Sequence, residues 1–299
     1  MDSIDIGRRK ALGMLAATVA FAASAAIPNK VLADTKSRNW PLWSIRQGGK
    51  TIYLTGETPP RPTSWHDDRI EGLLTQCSSF WTETNNVYKQ PQGELINRYG
   101  IDPKRPLDSW LNAHDKARLA EAAQYCGVQL DDLAPYKPWL AAGFLQPKFY
   151  ETAGWKGKSA PEVLSDRATH AGIPWHSEFK TKDDVLAWFG AFTPLQNVQF
   201  LRYVIDEILA GPAADARTFE DWAAGRREAA TAEVNQMSRL YPELAQRIAS
   251  TRNQEWLPRF EKMFASEGPS LVVVGLYHMV GPFGILALVK GKGLVVESI

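Results

Sequence analysis

Residues able to do chemistry gather near the two ends of this chain. Toward the C-terminus the run 270–274, Ser-Leu-Val-Val-Val, has the apolar continuity of a buried strand and leaves it through Gly275-Leu276-Tyr277-His278. Toward the N-terminus the strand-like run 51–55 leads straight into Gly56-Glu57-Thr58-Pro59-Pro60, and a short run beginning at Phe80 ends on Glu83. An imidazole and two carboxylates at strand exits can move protons. Glu83 ends an apolar strand, where an unpaired carboxylate is costly to bury, so a partner is required, and Arg252 is the candidate. The same guanidinium can equally grip a substrate carboxylate or phosphate through two parallel hydrogen bonds. Tyr277, beside His278, can donate to an oxyanion or simply pack.

The elements around these residues form two similar units. The first opens with a hairpin, residues 42–45 and 51–55 joined through Gln47-Gly48-Gly49-Lys50, and continues through a helix starting at Ser64-Trp65-His66-Asp67 to the strand that ends at Glu83. The second runs from the 270–274 strand through a helix over 282–290 to a strand over 294–299 carrying Glu297. The two match as a weak internal duplication. Ligands of such units sit at the carboxyl ends of parallel strands, which puts residues 56–59 and 275–281 in one candidate cleft. Between them, residues 108–267 read as mostly helical, with Asp108, Ser159, Thr181 and Thr218 as helix caps and 147–158 as a loop. The pairs Asp131-Asp132 and Asp183-Asp184 read as helix-start charges. Trp139, Trp175, Trp188 and Trp222 read as core residues on helix faces, some of them able to line a sugar or peptide cleft. The fold class expected is α/β: a central mixed sheet formed by the N- and C-terminal strand-loop-helix-strand units, with the helical middle packed on it.

Residues 1–33 have the parts of a twin-arginine signal peptide: Arg8-Arg9, an apolar stretch over 11–26, and a small-residue exit at Ala33, with Ala11 where Phe is usual. The expected working chain is 34–299, periplasmic or secreted, with no further segment able to span a membrane. Loss of the leader takes the formal charge from +1 to −1. A near-neutral chain gives no electrostatic case for nucleic acid. With 44% apolar residues and 11 Trp it can bury a substantial core. Cys77 and Cys126 lack metal spacing and read as two separately buried thiols, although a pairing would close a loop of about 50 residues. P-loop, dinucleotide, Gly-x-Ser-x-Gly and His-Glu-x-x-His signatures are missing from the sequence.

The stretch Thr251-Arg252-Asn253-Gln254-Glu255-Trp256-Leu257, the run 271–281 through Gly275-Leu276-Tyr277-His278, and the Gly293-Leu294-Val295-Val296 ending resemble the TraB/GumN (TraB/PrgY/GumN) family, to which the Tiki-type peptidases are related. Trp43, residues 51–56, Glu83, Pro138-Trp139, Ala168, Gly172-Ile173-Pro174, Glu178, Trp222 and Gly225 extend the resemblance over about 40–299. It implies a divalent metal, Mn, Mg or Zn, held by two Gly-x-x-His motifs and a Glu and activating water for hydrolysis. Carried onto this sequence, His278 and Glu83 are the implied ligands or acid/base groups, Glu57 a substitute ligand or base, and Arg252 the orienting residue. The first motif is broken, because Pro59 stands where its His is expected; His66 is the nearest spare imidazole. Glu178 lies where the family often carries Glu. His114, His170 and His176 read as surface or helix-edge residues. Two functions follow: a metal-dependent hydrolase acting on a peptide or similar ligand, or a non-catalytic binding or accessory protein of cell-envelope or polysaccharide processes.

Overall fold

The computed structural model describes residues 39–84 and 92–299; the signal peptide read over 1–33 lies outside them. A six-stranded sheet, β1 (Leu42–Gln47), β2 (Lys50–Glu57), β3 (Ser79–Thr84), β4 (Trp175–Phe179), β5 (Ser270–Gly275) and β6 (Val295–Ser298), has the order β4-β3-β5-β2-β1-β6. β1 runs antiparallel to both its neighbours, while β2, β5, β3 and β4 are mutually parallel. The Gly48-Gly49 turn of the β1–β2 hairpin has positive φ at both residues, which glycine adopts without steric cost. Each terminal unit forms a parallel strand-helix-strand crossover, through helix Asp68–Leu74 in the first and helix Ile285–Gly291 in the second. The expected mixed sheet built from both chain ends is therefore present, and β5 sits between the two strands of the first unit; one strand more joins it, β4, which comes from the stretch expected to be helical and carries Trp175 on a strand rather than a helix face.

Burial follows this division. One core collects the sheet, with Leu54, Phe80 and Val272 at its centre; a second belongs to the helical middle, around Trp139, Phe149, Phe200 and Val204. The helical middle is thus more than a cover for the sheet. Cys126 lies in its core and Cys77 in the sheet's; both are free, and burial pushes each thiol up to about 12. No helix among the described residues is long and apolar enough to cross a membrane.

Ser159 and Thr181 cap their helices with the reciprocal Glu162 and Asp184 bonds expected. Other boundaries move. The first crossover helix starts at Asp68, capped by Asp67, because Trp65 N–H is drawn away to the Lys158 carbonyl and holds the preceding residues in a loop. Asn112 rather than Asp108 caps helix Ala113–Tyr125, and Thr218 lies inside helix Pro212–Ala223. Residues 147–152 are helical, not loop: Pro147 sits within Pro138–Thr152, a helix buried on nearly every side, so packing outweighs the lost N–H. Trp139 and Trp222 are fully buried, as a core reading requires.

At the end of β2, Gly56 is pressed from outside the sheet. Its carbonyl accepts from Trp222 Nε1 at 2.9 Å, and a Cβ there would meet Trp222 Cζ2 at 2.5 Å and the Leu276 backbone at 3.2 Å. The Gly56→Ala variant is expected to lose roughly 1–3 kcal/mol in urea unfolding, as overpacked cores do. A change within about 0.5 kcal/mol would show that the junction yields freely.

Candidate functional site

Four parallel strands end side by side, and their exits carry the chemistry. Register pairs Glu57 with Gly275 across β2 and β5, and places Glu83 of β3 opposite Glu178 of β4, flanked by the Thr82–Ser177 and Thr84–Phe179 pairs. Two neighbouring carboxylates on one face repel each other, and Arg252 lies against both. Its Nη2 donates to Glu83 Oε2 at 2.7 Å and to Glu178 Oε2 at 2.6 Å, and its Nε to Glu178 Oε1 at 3.1 Å. Its guanidinium also lies 5.2 Å and 5.3 Å from the rings of Phe179 and Trp188. Arg252 begins helix Arg252–Ala265 directly after a π-helical turn, Gln246–Thr251, a widening often found at functional positions.

The other Glu83 oxygen, Oε1, accepts from the Gly275 N–H at 2.6 Å, and His278 Nε2 stands 3.6 Å from Oε2. Burial alone would raise the Glu83 pKa, but the charges of His278 and Arg252 and the hydrogen bond from the Gly275 N–H outweigh it and hold the carboxyl well below its usual range. Glu83 is therefore ionised at neutral pH.

His278 is fixed from its other side by Asn253. Asn253 Nδ2 donates to the carbonyls of His278, at 3.3 Å, and Phe283, at 2.7 Å, so its Oδ1 is an acceptor. That oxygen lies 2.6 Å from His278 Nδ1, which must carry a hydrogen. Nε2 is the nitrogen left facing Glu83.

Glu57 differs from its neighbours. It is 9% exposed and lines the cavity, and no described residue hydrogen-bonds its carboxyl. Burial, and then the charges of Glu83 and Glu162, push its pKa well above the usual value.

These side chains open on one cavity of about 140 Å³ at the junction of the two cores, closed on the helical side by Trp188, Phe189, Phe200 and Met237. Of the residues singled out from sequence, Glu57, Glu83, Arg252, Tyr277 and His278 all line it, as does Pro59; Glu178 stands behind Arg252. Tyr277 faces Glu233, with oxygens 3.5 Å apart. His66 is elsewhere, its Nδ1 2.7 Å from Glu71 Oε1. His114 and His170 are exposed, and the His176 ring lies tilted against Trp81, centroids 4.6 Å apart. Sequence reasoning missed Asn253, Gln146, Tyr150, Tyr203 and Glu207. Asn253 had a signal, since it adjoins Arg252. Glu207 had a weaker one, a carboxylate one turn beyond Tyr203 on a helix that buries Val204, Ile205 and Ile208.

A family model described as the TraB/PrgY/gumN family matches residues 41–298. The chain belongs to the TraB/PrgY/gumN family. The match takes in every strand of the sheet and the whole cavity wall. No curated protein and no solved structure matches the chain. The metal ion that the resemblance implies for TraB/PrgY/gumN proteins meets a donor set here that does not fit it. Pro59 has no donor side-chain atom, both Glu83 oxygens are engaged, and among the described residues no three His, Cys, Asp or Glu side chains are placed to hold one ion.

Proposed function

We propose that this TraB/PrgY/gumN protein hydrolyses a peptide or similar amide by acid–base chemistry in the cavity at the strand exits. The observation that carries this reading is a pair of unlike carboxyls on one cavity: Glu83 is tied to Arg252 and Gly275 with its pKa held low, Glu57 is untied with its pKa raised, and His278 Nε2 stands 3.6 Å from Glu83. Environments that push two carboxyls apart in pKa assign the acid and the charge-stabilising partner. In this scheme His278 Nε2 takes a proton from water as the water oxygen bonds to the amide carbon. Glu83 stabilises the imidazolium so formed, and Asn253 holds the ring's orientation. Glu57 gives its proton to the leaving nitrogen as the C–N bond breaks; solvent then carries the proton from His278 back to Glu57. Tyr277 lies in the same wall and serves orientation. The reading of residues 1–33 as a twin-arginine leader places this activity in the periplasm or outside the cell.

One observation favours a second reading. Pro59 occupies the cavity wall where the first family motif would carry His, which suits a binding or accessory protein in the cell envelope that has lost its chemistry. Incubation with a mixed peptide library, read by mass spectrometry, separates the two. Cleavage is expected, undiminished after exhaustive dialysis against a chelator, and calorimetric titration with Mn²⁺ and Zn²⁺ is expected to give no saturable heat. Cleavage lost on chelation and restored by one metal would overturn the metal-free scheme, and absence of cleavage with and without metal would leave the binding role.

A further inference from the structure

The helical wall of the cavity carries a second polar group that the hydrolytic scheme leaves unused. Glu207, on helix Pro194–Ala210, lines the cavity and accepts from Gln146 Nε2 at 2.8 Å and from the Tyr150 hydroxyl at 3.2 Å. Both donors sit one turn apart on helix Pro138–Thr152 and are buried. Tyr203 and Tyr277 complete this side.

Nearby cations are already committed. Arg252 is matched by Glu83 and Glu178. Arg61 is paired with Asp215 and held between the rings of Trp155 and Phe219, 4.3 Å and 4.2 Å from their centroids. Glu207 and Glu57 thus face one cavity with no cation of their own, and Glu57 has no hydrogen-bond partner among the described residues. A carboxylate in such a place gains most from a ligand that brings a positive charge. Volume limits the size of that ligand: a cavity of about 150 Å³ holds a benzene-sized molecule, so about 140 Å³ admits one small side chain or residue.

We infer that this wall is a recognition site for a primary ammonium group, through which Glu207 selects substrates presenting either a free peptide N-terminus or a lysine side chain. The inference rests on the reading that the cavity receives the substrate. Burial pushes the Glu207 carboxyl up to about 7, with Gln146 and Tyr150 opposing, Asp215 adding and Arg61 opposing. An entering ammonium favours the ionised form, so binding near pH 6 releases a proton.

The test is calorimetric titration of the intact chain with n-butylamine and n-butanol, with alaninamide and Nα-acetyl-lysine amide as the two source-specific probes. Butylamine is expected to bind at least tenfold more tightly than butanol, and the preference is expected to vanish in Glu207→Gln. In wild type, titration at pH 6 in two buffers of different ionisation enthalpy is expected to report proton release, a readout that needs no variant to fold. Alaninamide binding identifies the N-terminus as the source, and acetyl-lysine amide binding identifies the side chain. Equal affinity for butylamine and butanol, binding of neither probe pair, a preference that survives Glu207→Gln, or zero proton release overturns the inference. Amine binding without any peptide cleavage removes the hydrolase reading alone, whereas efficient cleavage of N-acetylated, lysine-free peptides removes the amine site alone.

Discussion

Replacing Arg252 with Ala is expected to cost about 3–5 kcal/mol, because it strands two buried carboxylates. Glu83 and Glu178 lie opposite one another in register, and Arg252, 4% exposed, is their shared cation. The loss is expected to depend on pH in a definite direction. Glu83 is held below its ordinary value in the fold, so its favourable contribution is fully present above about pH 4.3 and disappears as pH falls through the lowered folded value. The deficit of Arg252→Ala is therefore largest near neutrality and shrinks in acid. Urea unfolding at pH 7 and pH 4 measures it, and a loss below about 1 kcal/mol at pH 7 would mean that water reaches the two carboxylates. A triple variant, Arg252→Met with Glu83→Gln and Glu178→Gln, is expected to regain most of the stability, since removing a whole buried charge cluster costs far less than breaking it.

The Glu57→Gln variant is expected to separate function from stability. Losing the proton donor should lower kcat by about 10²- to 10⁴-fold, the usual contribution of a positioned general acid. Stability should move the other way. With its folded pKa raised, Glu57 must take up a proton on folding above about pH 4.3, so wild type loses stability as pH rises from there toward the folded value. The amide that replaces this carboxyl has nothing to titrate. The two proteins should be equally stable near pH 4, with the variant gaining by up to about 1.4 kcal/mol per pH unit above it. Parallel unfolding curves across pH 4–8 check this. A variant less stable than wild type at pH 8, or fully active at any pH, would remove Glu57 from its acid role.

The strands at the two chain ends were legible because their signals are local, whereas β4, five residues within a helical stretch, was not. The β-prone run Thr51-Ile52-Tyr53-Leu54-Thr55 and the apolar run 271–274, each opening into a glycine, declared both the sheet and its functional edge. The Glu83–Arg252 bond was legible for a different reason, since a carboxylate ending an apolar strand demands a cation. Asn253, Glu207, Gln146 and Tyr150 were not, because their roles depend on which turn of one helix faces which turn of another across a cavity. Periodicity places a residue on a face and leaves open what lies opposite. Pro147 misled for a related reason: a residue that ends isolated helices was accommodated where the helix is packed on nearly every side.

The placement of β5 between β2 and β3 bears on how this protein emerges from the ribosome. The two strands of the first crossover are made early, yet neither can hydrogen-bond the other directly; the slot between them is filled by residues synthesised some two hundred positions later. Until then the nascent chain holds two unpaired strand edges, both rich in apolar side chains and open to the wrong partner. A ribosome stalled before residue 270 would present a product with a split sheet and no cavity, well suited to capture by holding chaperones. Completion of the sheet and of the cavity thereby depends on the segment from β5 onward.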